Sequence, residues 1–298
     1  MPSEEYKRFT QMNAGFRPIE RKTKEDYEKF RRMFEEMSAS NQPVPPGVQI
    51  AGGEINGVDI EWVIPEGATS DKAIVYIHGG GFTIGSVAMR RNVVIALAAA
   101  TGCKAVSIGY RLAPENPFPA ALEDCVNVYH GLLAQGIPAK GIILVGESAG
   151  GNLCLTTVLY LKDRQEPLPE AVIAVSPPTD FLATGDSYHA NAAVDPLSGQ
   201  IEKVAAEYAS GQDLHNPYIS PLYGNLQGFP PVFLQAGGTE VLRDDSRMFA
   251  ERAKAAGVNV TLRVWTEMGH AFSLELGRFP EADIGFKEIT DYIKRQLG

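Results

Sequence analysis

Cysteine is scarce in this 298-residue chain: Cys103, Cys125 and Cys154 are the three cysteines, and they lie far apart. That number and spacing argue against a disulfide framework and against a Cys-x-x-Cys metal site, so reduced thiols are expected. No apolar stretch follows the mixed-charge N-terminus, as it would in a secretory signal, and we expect a cytoplasmic protein. The longest apolar run, Val93–Ala100, is far shorter than the roughly 20 residues that a membrane-crossing helix needs. No stable membrane insertion is expected.

Positive charge is also in short supply. Lys and Arg total 27 against 36 Asp and Glu, which gives a formal net charge of -9. Because binding to a phosphate backbone depends on clustered Lys and Arg, the composition disfavours a nucleic-acid partner. No His and carboxylate cluster at metal-ligand spacing is visible, and we expect neither a metal nor a cofactor. The hydrophobic content of 44% is that of a globular chain with a sizeable core.

Short β-branched runs alternate with helical stretches along most of the chain. The predicted strands are Ile74–Ile77, Ala105–Ile108, Ile142–Val145, Val172–Val175, Val232–Gln235 and Val258–Val264. The predicted helices between them are Arg91–Ala100, Leu122–Ala134, Gly150–Arg164, Ser246–Ala256 and Glu281–Leu297. Most of the strands are apolar throughout, which is typical of strands buried on both faces. The alternation predicts an α/β fold with a mostly parallel central sheet and helices on both faces.

Two segments stand outside this alternation. In Lys22–Ser38, aromatic residues recur at three- and four-residue spacing, which predicts an amphipathic helix, and the proline-rich stretch 41–47 predicts a linker. Residues 181–215 are polar and aromatic, and we interpret them as an inserted cap. The predicted division is N-terminal cap helices in 1–45, core in 46–180, cap insertion in 181–215 and core in 216–298.

The segment Gly146-Glu147-Ser148-Ala149-Gly150 lies between a predicted strand and a predicted helix. A nucleophilic serine needs such a strand-to-helix turn to push its hydroxyl out of the sheet, and the flanking glycines permit the strained backbone. The turn also points a helix N-terminus at the site, where developing negative charge is stabilised. An ordinary tight turn is the alternative interpretation of this pattern.

Three consecutive glycines, Gly79 to Gly81, stand between His78 and Phe82, directly after a predicted strand. Bare backbone allows successive N–H groups to converge on one oxygen, as stabilisation of an oxyanion requires. A phosphate-binding loop is disfavoured, because no Gly-Lys-Ser/Thr follows and the next basic residue is Arg90. We interpret His78 as a structural residue that orients this loop.

A serine nucleophile needs a base, and the base needs an orienting acid. Among the five histidines, His270 follows a predicted strand in a glycine-containing loop, where catalytic groups often collect. His130 falls in a predicted helix, while His189 and His215 fall in the predicted cap insertion. We therefore select His270 as the candidate base.

Glu240 is the carboxylate closest to the end of the strand Val232–Gln235, and it is the candidate acid. Asp244 and Asp245 lie at the start of the next predicted helix, where carboxylates commonly bind free amides, and we expect them to be structural. The order Ser148, Glu240, His270 is that of α/β-hydrolases and differs from the orders of chymotrypsin and subtilisin.

Four blocks together resemble the hormone-sensitive lipase family of α/β-hydrolases, in its bacterial esterase branch. They are His78–Phe82, Tyr110–Ala120, Gly146–Gly150 and Gly269–Phe272. The resemblance extends over about residues 60 to 298. It implies an α/β-hydrolase fold with a small helical cap built from the N-terminal region and the insertion.

The resemblance also implies the roles of individual residues. The implied triad is Ser148, Glu240 and His270, and the implied oxyanion hole consists of the backbone N–H groups of Gly80, Gly81 and Ala149. Two positions depart from the commoner pattern: Glu147 stands where many members have Asp or Thr, and Glu240 stands where Asp is commoner. Arg111 and Glu115 are interpreted as charges that brace a loop.

These observations predict a serine carboxylesterase that acts on small esters with short to medium acyl chains. Phe34, Phe82 and Phe181 are the predicted substrate-binding side chains, and packing against the core is the alternative interpretation of the apolar residues in the cap. Lactone or amide hydrolysis would use the same groups and stays open, as does a non-catalytic receptor on the same fold. Because family members are often dimers, a homodimer is a further expectation.

Overall fold

The computed structural model describes residues 1–13, 21, 23–38 and 44–298. The strands are β1 (Val48–Ile55), β2 (Val58–Pro65), β3 (Ala73–Ile77), β4 (Lys104–Gly109), β5 (Ile142–Glu147), β6 (Ala171–Val175), β7 (Val232–Gly237) and β8 (Val260–Trp265). The helices are α1 (Glu4–Asn13), α2 (Lys24–Ser38), α3 (Arg91–Thr101), α4 (Ala120–Ala134), α5 (Ala149–Asp163), α6 (Ser187–Ala190), α7 (Ile201–Ala209), α8 (Arg243–Ala255) and α9 (Pro280–Leu297). Short 3₁₀ helices cover Ala139–Gly141, Pro221–Tyr223 and Phe272–Leu274.

The strands form one sheet in the order β1-β2-β4-β3-β5-β6-β7-β8. Strands β3 to β8 are parallel, and they match the six strands predicted from the sequence. Strand β2 is antiparallel to both β1 and β4. The β1–β2 hairpin and α1 were not predicted. The signal for the hairpin was present, because an Asn-Gly pair, Asn56-Gly57, forms the turn with both φ angles positive.

Alternate residues of the parallel strands face opposite sides of the sheet. Because most of these strands are apolar throughout, helices must cover both faces to bury their side chains. Val75 and Ile77 of β3 belong to one core, with residues of α4, α5 and α8. Their neighbours Ile74 and Tyr76 belong to the other core, with residues of α3 and α9. The predicted fold class is therefore confirmed.

The segments predicted as a cap contain helices. Helices α1 and α2 lie within 1–45, and α6 and α7 lie within 181–215. Tyr27 of α2 hydrogen-bonds to Glu207 of α7, so the N-terminal segment and the insertion are in contact. Residues 41–43 of the predicted linker, and Lys22, lie outside the described residues. None of the helices in the described ranges is long and apolar enough to cross a membrane.

Candidate active site

Ser148 stands at the turn between β5 and α5 with a strained backbone, φ 53° and ψ -124°. Its N–H donates to the carbonyl of Val175 at 2.8 Å, which ties the turn to β6. A Cβ at Gly146 would lie 2.5 Å from the backbone of Gly150, and a Cβ at Gly150 would overlap the carbonyl oxygen of Ile77. Both glycines are therefore required for the close approach of helix and strand. The structure confirms the predicted strand–turn–helix geometry around the serine.

The glycine loop lies beside this turn, since a Cβ at Gly79 would be 3.2 Å from the Cβ of Ser148. The carbonyl of Gly80 accepts the N–H groups of Thr83 and Ile84, both at 3.1 Å. In the described part of the chain, the N–H groups of Gly80 and Gly81 have no backbone or side-chain acceptor. Two free donors next to a strained serine can stabilise a negatively charged oxygen.

His78 contacts the glycine loop through its buried ring. Its ring is buried and stacks on Tyr110 with 4.2 Å between the ring centroids. Its Nδ1 lies 2.7 Å from the carbonyl of Gly79, and the hydroxyl of Tyr110 donates to the carbonyl of His78 at 2.9 Å. Burial lowers the pKa of His78, which keeps the ring neutral. These contacts agree with the structural role expected for His78.

Glu240, just after β7, and His270, after β8, are brought together although 30 residues separate them. Nδ1 of His270 lies 2.7 Å from Oε2 of Glu240, whose side chain is 0% exposed. The other carboxylate oxygen, Oε1, accepts the N–H of Gly237 at 2.7 Å and the hydroxyl of Ser176 at 2.9 Å. Both oxygens are thus held in place, so the buried carboxylate can orient the imidazole and stabilise its charged form.

Opposing effects act on the pKa of His270. Burial by itself lowers this pKa, but the hydrogen bond and negative charge of Glu240 raise it, and the charges of Asp195 and Glu147 add to the increase. The result is a pKa above the ordinary value of 6.5. Such a histidine is a stronger base than a free imidazole.

Three residues that hold this acid–base pair were missed by sequence reasoning. Ser176 bridges the two loops, because its Oγ donates to Glu240 and accepts the N–H of Ala271 at 3.0 Å. Asn191, in the insertion, donates to the carbonyl of Glu240 at 2.8 Å, and Asp195 accepts the N–H of Val241 at 2.6 Å. The position of Ser176, directly after β6, was the one available signal, since the ends of neighbouring parallel strands meet at one edge.

Glu147, the variant residue of the serine turn, belongs to a buried network. It accepts the hydroxyl of Tyr76 at 2.6 Å and lies 3.4 Å from Nε of Arg90, which also pairs with Glu275 at 3.2 Å. These partners satisfy both carboxylate oxygens. Glu147 therefore ties the serine turn to Tyr76 of β3 and to Arg90.

The residues expected to be structural bind neighbouring loops. Asp245 accepts the N–H groups of Thr179 and Asp180, while Asp244 accepts the N–H of Ser187 at 2.8 Å. Arg111 pairs with Asp124 at 2.9 Å, and Glu115 pairs with Arg31 at 2.7 Å. These contacts agree with the structural roles expected for the four residues, although the two aspartates bind the loop at Thr179 and the start of α6 instead of capping α8.

The three predicted substrate-binding side chains differ in exposure. Phe82 is fully buried and stacks on Tyr208, with 3.7 Å between the centroids, and Phe181 is buried beside it. Phe34 of α2 is partly exposed and lines a small cavity of about 20 Å³ with Met89. Their contact with substrate stays a prediction.

Within the described ranges, no group of three or more His, Cys, Asp or Glu side chains is arranged to hold a metal ion.

Comparison with known proteins agrees with this architecture. Residues 74–274 match the α/β-hydrolase fold family. An acetyl-hydrolase from Streptomyces hygroscopicus is 37% identical over 261 residues, covering 87% of this chain and 86% of the relative. An esterase from Acinetobacter venetianus is 36% identical over 253 residues, covering 84% and 83%.

A solved structure extends the match to the whole chain. The crystal structure of an esterase from the bacterial hormone-sensitive lipase family is 39% identical, covers 100% of both chains and superimposes with a TM-score of 0.91. The resemblance inferred from the four sequence blocks is thereby confirmed. The chain belongs to the α/β-hydrolase family, in the bacterial hormone-sensitive lipase group of carboxylic ester hydrolases.

Proposed function

We propose that this protein is a serine carboxylesterase that hydrolyses esters with short to medium acyl chains through an acyl-enzyme. The observation that carries the proposal is the hydrogen bond between Glu240 and Nδ1 of His270, at 2.7 Å. It leaves Nε2 of His270 to take the proton of Ser148 as the hydroxyl attacks the ester carbonyl. The similarity to an acetyl-hydrolase supports small acyl groups.

In the proposed mechanism, the oxyanion formed by this attack accepts hydrogen bonds from the N–H groups of Gly80, Gly81 and Ala149. The imidazolium of His270 then gives its proton to the leaving alcohol, and the acyl group remains on Ser148. Water, deprotonated by His270, attacks the acyl-enzyme; the bond between the acyl carbon and Oγ of Ser148 breaks, the imidazolium returns the proton to Oγ, and the carboxylic acid leaves. Glu240 orients the imidazole throughout and stabilises its charged form.

The test is hydrolysis of a p-nitrophenyl ester series from acetate to laurate, with Ser148→Ala as the matched variant. We expect the highest kcat/KM at short or medium chains, and a loss of several orders of magnitude in the variant. Turnover that survives in a folded Ser148→Ala protein would contradict the proposal.

Lactone and amide hydrolysis require the same nucleophile and oxyanion donors, so they are the alternative activities. A matched ester and amide pair, and a simple lactone, measured under the same conditions, separate these activities. A folded wild-type protein that turns over none of them would favour the receptor interpretation.

A homodimer and a cytoplasmic location belong to this proposal. The three cysteines support the location, because all are buried free thiols, as a reducing compartment maintains them. Sedimentation velocity tests the dimer, and fractionation of the native host tests the location.

A further inference from the structure

Helix α1, at the N-terminus, is fastened to the C-terminal helix α9. The N–H and hydroxyl of Ser3 donate to the carboxylate of Glu281 at 2.6 Å and 2.7 Å. The rings of Tyr6 and Phe9 pack on Phe279, with centroid distances of 4.9 Å and 5.1 Å. The position of α1 therefore rests on several contacts besides the hydroxyl of Tyr6.

The hydroxyl of Tyr6 reaches the loop that carries the candidate base. It accepts the N–H of Gly269 at 2.8 Å, across 263 residues of sequence. Gly269 directly precedes His270, and a residue without Cβ leaves the peptide free to rotate unless another group holds it. Tyr6 is itself buried, at 7% exposure, so water does not readily replace this contact.

The neighbouring residues of the loop are held from within the hydrolase core. The carbonyl of Met268 accepts the hydroxyl of Thr239 at 2.9 Å, and the N–H of Ala271 donates to Ser176 at 3.0 Å. The Met268–Gly269 peptide, whose carbonyl Thr239 binds, leads directly into His270. In the described part of the chain, the N–H of this same peptide is held by Tyr6, from the N-terminal segment, so the peptide is fixed at both of its polar groups.

We propose that Tyr6 is a positioning residue for the catalytic base: its hydroxyl fixes the Gly269 peptide and thereby holds His270 in its hydrogen bond with Glu240. This inference rests on the proposed function. Helix α1 then contributes to the geometry of the active site, in addition to any role as part of the cap.

The pH profile reports on this role. The charged groups that act on His270 are Glu240 after β7, Asp195 in the insertion and Glu147 at the end of β5. Glu267, in the same loop, is paired with the N-terminal amine at 3.3 Å. Because the contact with Glu240 raises the pKa of His270, loss of that contact shifts the pKa downward.

The test compares Tyr6→Phe with Phe9→Leu. Tyr6→Phe keeps the ring on Phe279 and removes the hydroxyl alone, and we expect kcat to fall roughly threefold to tenfold with little change in KM. The ascending limb of its kcat/KM profile should move to lower pH. Phe9→Leu alters the same packing on Phe279 and leaves the hydroxyl of Tyr6 in place, and it should keep the wild-type kcat and pH profile.

Three results would overturn the inference. The first is a Tyr6→Phe enzyme with wild-type kcat and pH profile. The second is an equal loss in both variants, which would assign the effect to helix packing. The third is equally slow hydrogen exchange at the Gly269 amide in wild type and Tyr6→Phe, measured by mass spectrometry. Turnover that does not require Ser148 would instead contradict the proposed function, so the two failures are distinguishable.

Discussion

Nδ1 of His270 lies 2.7 Å from Oε2 of Glu240, and the carboxylate of Glu240 is fully buried. A carboxylate in this position fixes the imidazole tautomer and stabilises the imidazolium that forms during the reaction. We therefore expect Glu240→Gln to lower kcat by about a thousandfold or more, because an amide does not stabilise that charge. Steady-state kinetics on the best p-nitrophenyl ester measure the loss.

Glu240→Asp is the control for this substitution, because it retains the charge with a shorter side chain. It should keep more activity than Glu240→Gln. A Glu240→Gln enzyme within tenfold of the wild-type kcat would show that another group orients His270.

The pH dependence of kcat/KM follows from the raised pKa of His270. Only the neutral imidazole accepts the serine proton, so kcat/KM should rise with pH through a midpoint above 6.5. Removal of the Glu240 charge should move this midpoint to lower pH. A profile measured with a substrate that has no titratable group provides the check, and a flat profile between about pH 6 and 8 would exclude His270 as the base.

Ser176 ties the acid to the loop of the base, and its removal should reduce activity. Ser176→Ala leaves Oε1 of Glu240 and the N–H of Ala271 with one fewer partner each. We expect kcat to fall roughly tenfold, and the free energy of unfolding to fall by about 1–3 kcal/mol. Kinetics and urea unfolding measure the two effects.

Ser273→Ala is a matched control for Ser176→Ala. Ser273 is equally buried, and within the described residues its hydroxyl has no hydrogen-bond partner. Its removal should leave kcat near the wild-type value. Equal losses in the two serine variants would contradict the bridging role of Ser176.

Arg31 of α2 holds the segment that follows the glycines of the candidate oxyanion hole. Its Nε donates to the carbonyl of Thr83 at 2.8 Å, its Nη2 donates to that of Ala113 at 2.9 Å, and it pairs with Glu115. We expect Arg31→Ala to lower kcat by about tenfold and to lower Tm, since three hydrogen-bonded groups lose their shared donor.

Arg32→Ala is the control on the same helix, because Arg32 is exposed. It should change neither kcat nor Tm appreciably. An Arg31→Ala enzyme with wild-type kinetics would show that the glycine loop keeps its conformation without these contacts of Arg31.

The local sequence was sufficient to predict the parallel part of the sheet and the loops that carry the site. Apolar runs identify β3 to β8, and Ser148, Glu240 and His270 follow β5, β7 and β8, which have the same order in the sheet as along the chain. The turn around Ser148 was predictable because close backbone contacts at Gly146 and Gly150 leave no room for a side chain.

The supporting contacts were not predictable from the sequence. Tyr6 and Gly269 are 263 residues apart, and Ser176 and Ala271 are 95 apart, so no local pattern relates them. A single buried hydroxyl carries no periodic signal of its own. Only the folded chain shows which distant amide it meets.

The most direct test of the account is to trap the nucleophile. A fluorophosphonate probe should add one phosphonyl group to the wild-type protein, on the peptide that contains Ser148, with complete loss of esterase activity. The Ser148→Ala protein should remain unlabelled under the same conditions. A label on a different residue, or full esterase activity in the Ser148→Ala protein, would contradict the assignment of Ser148 as the nucleophile.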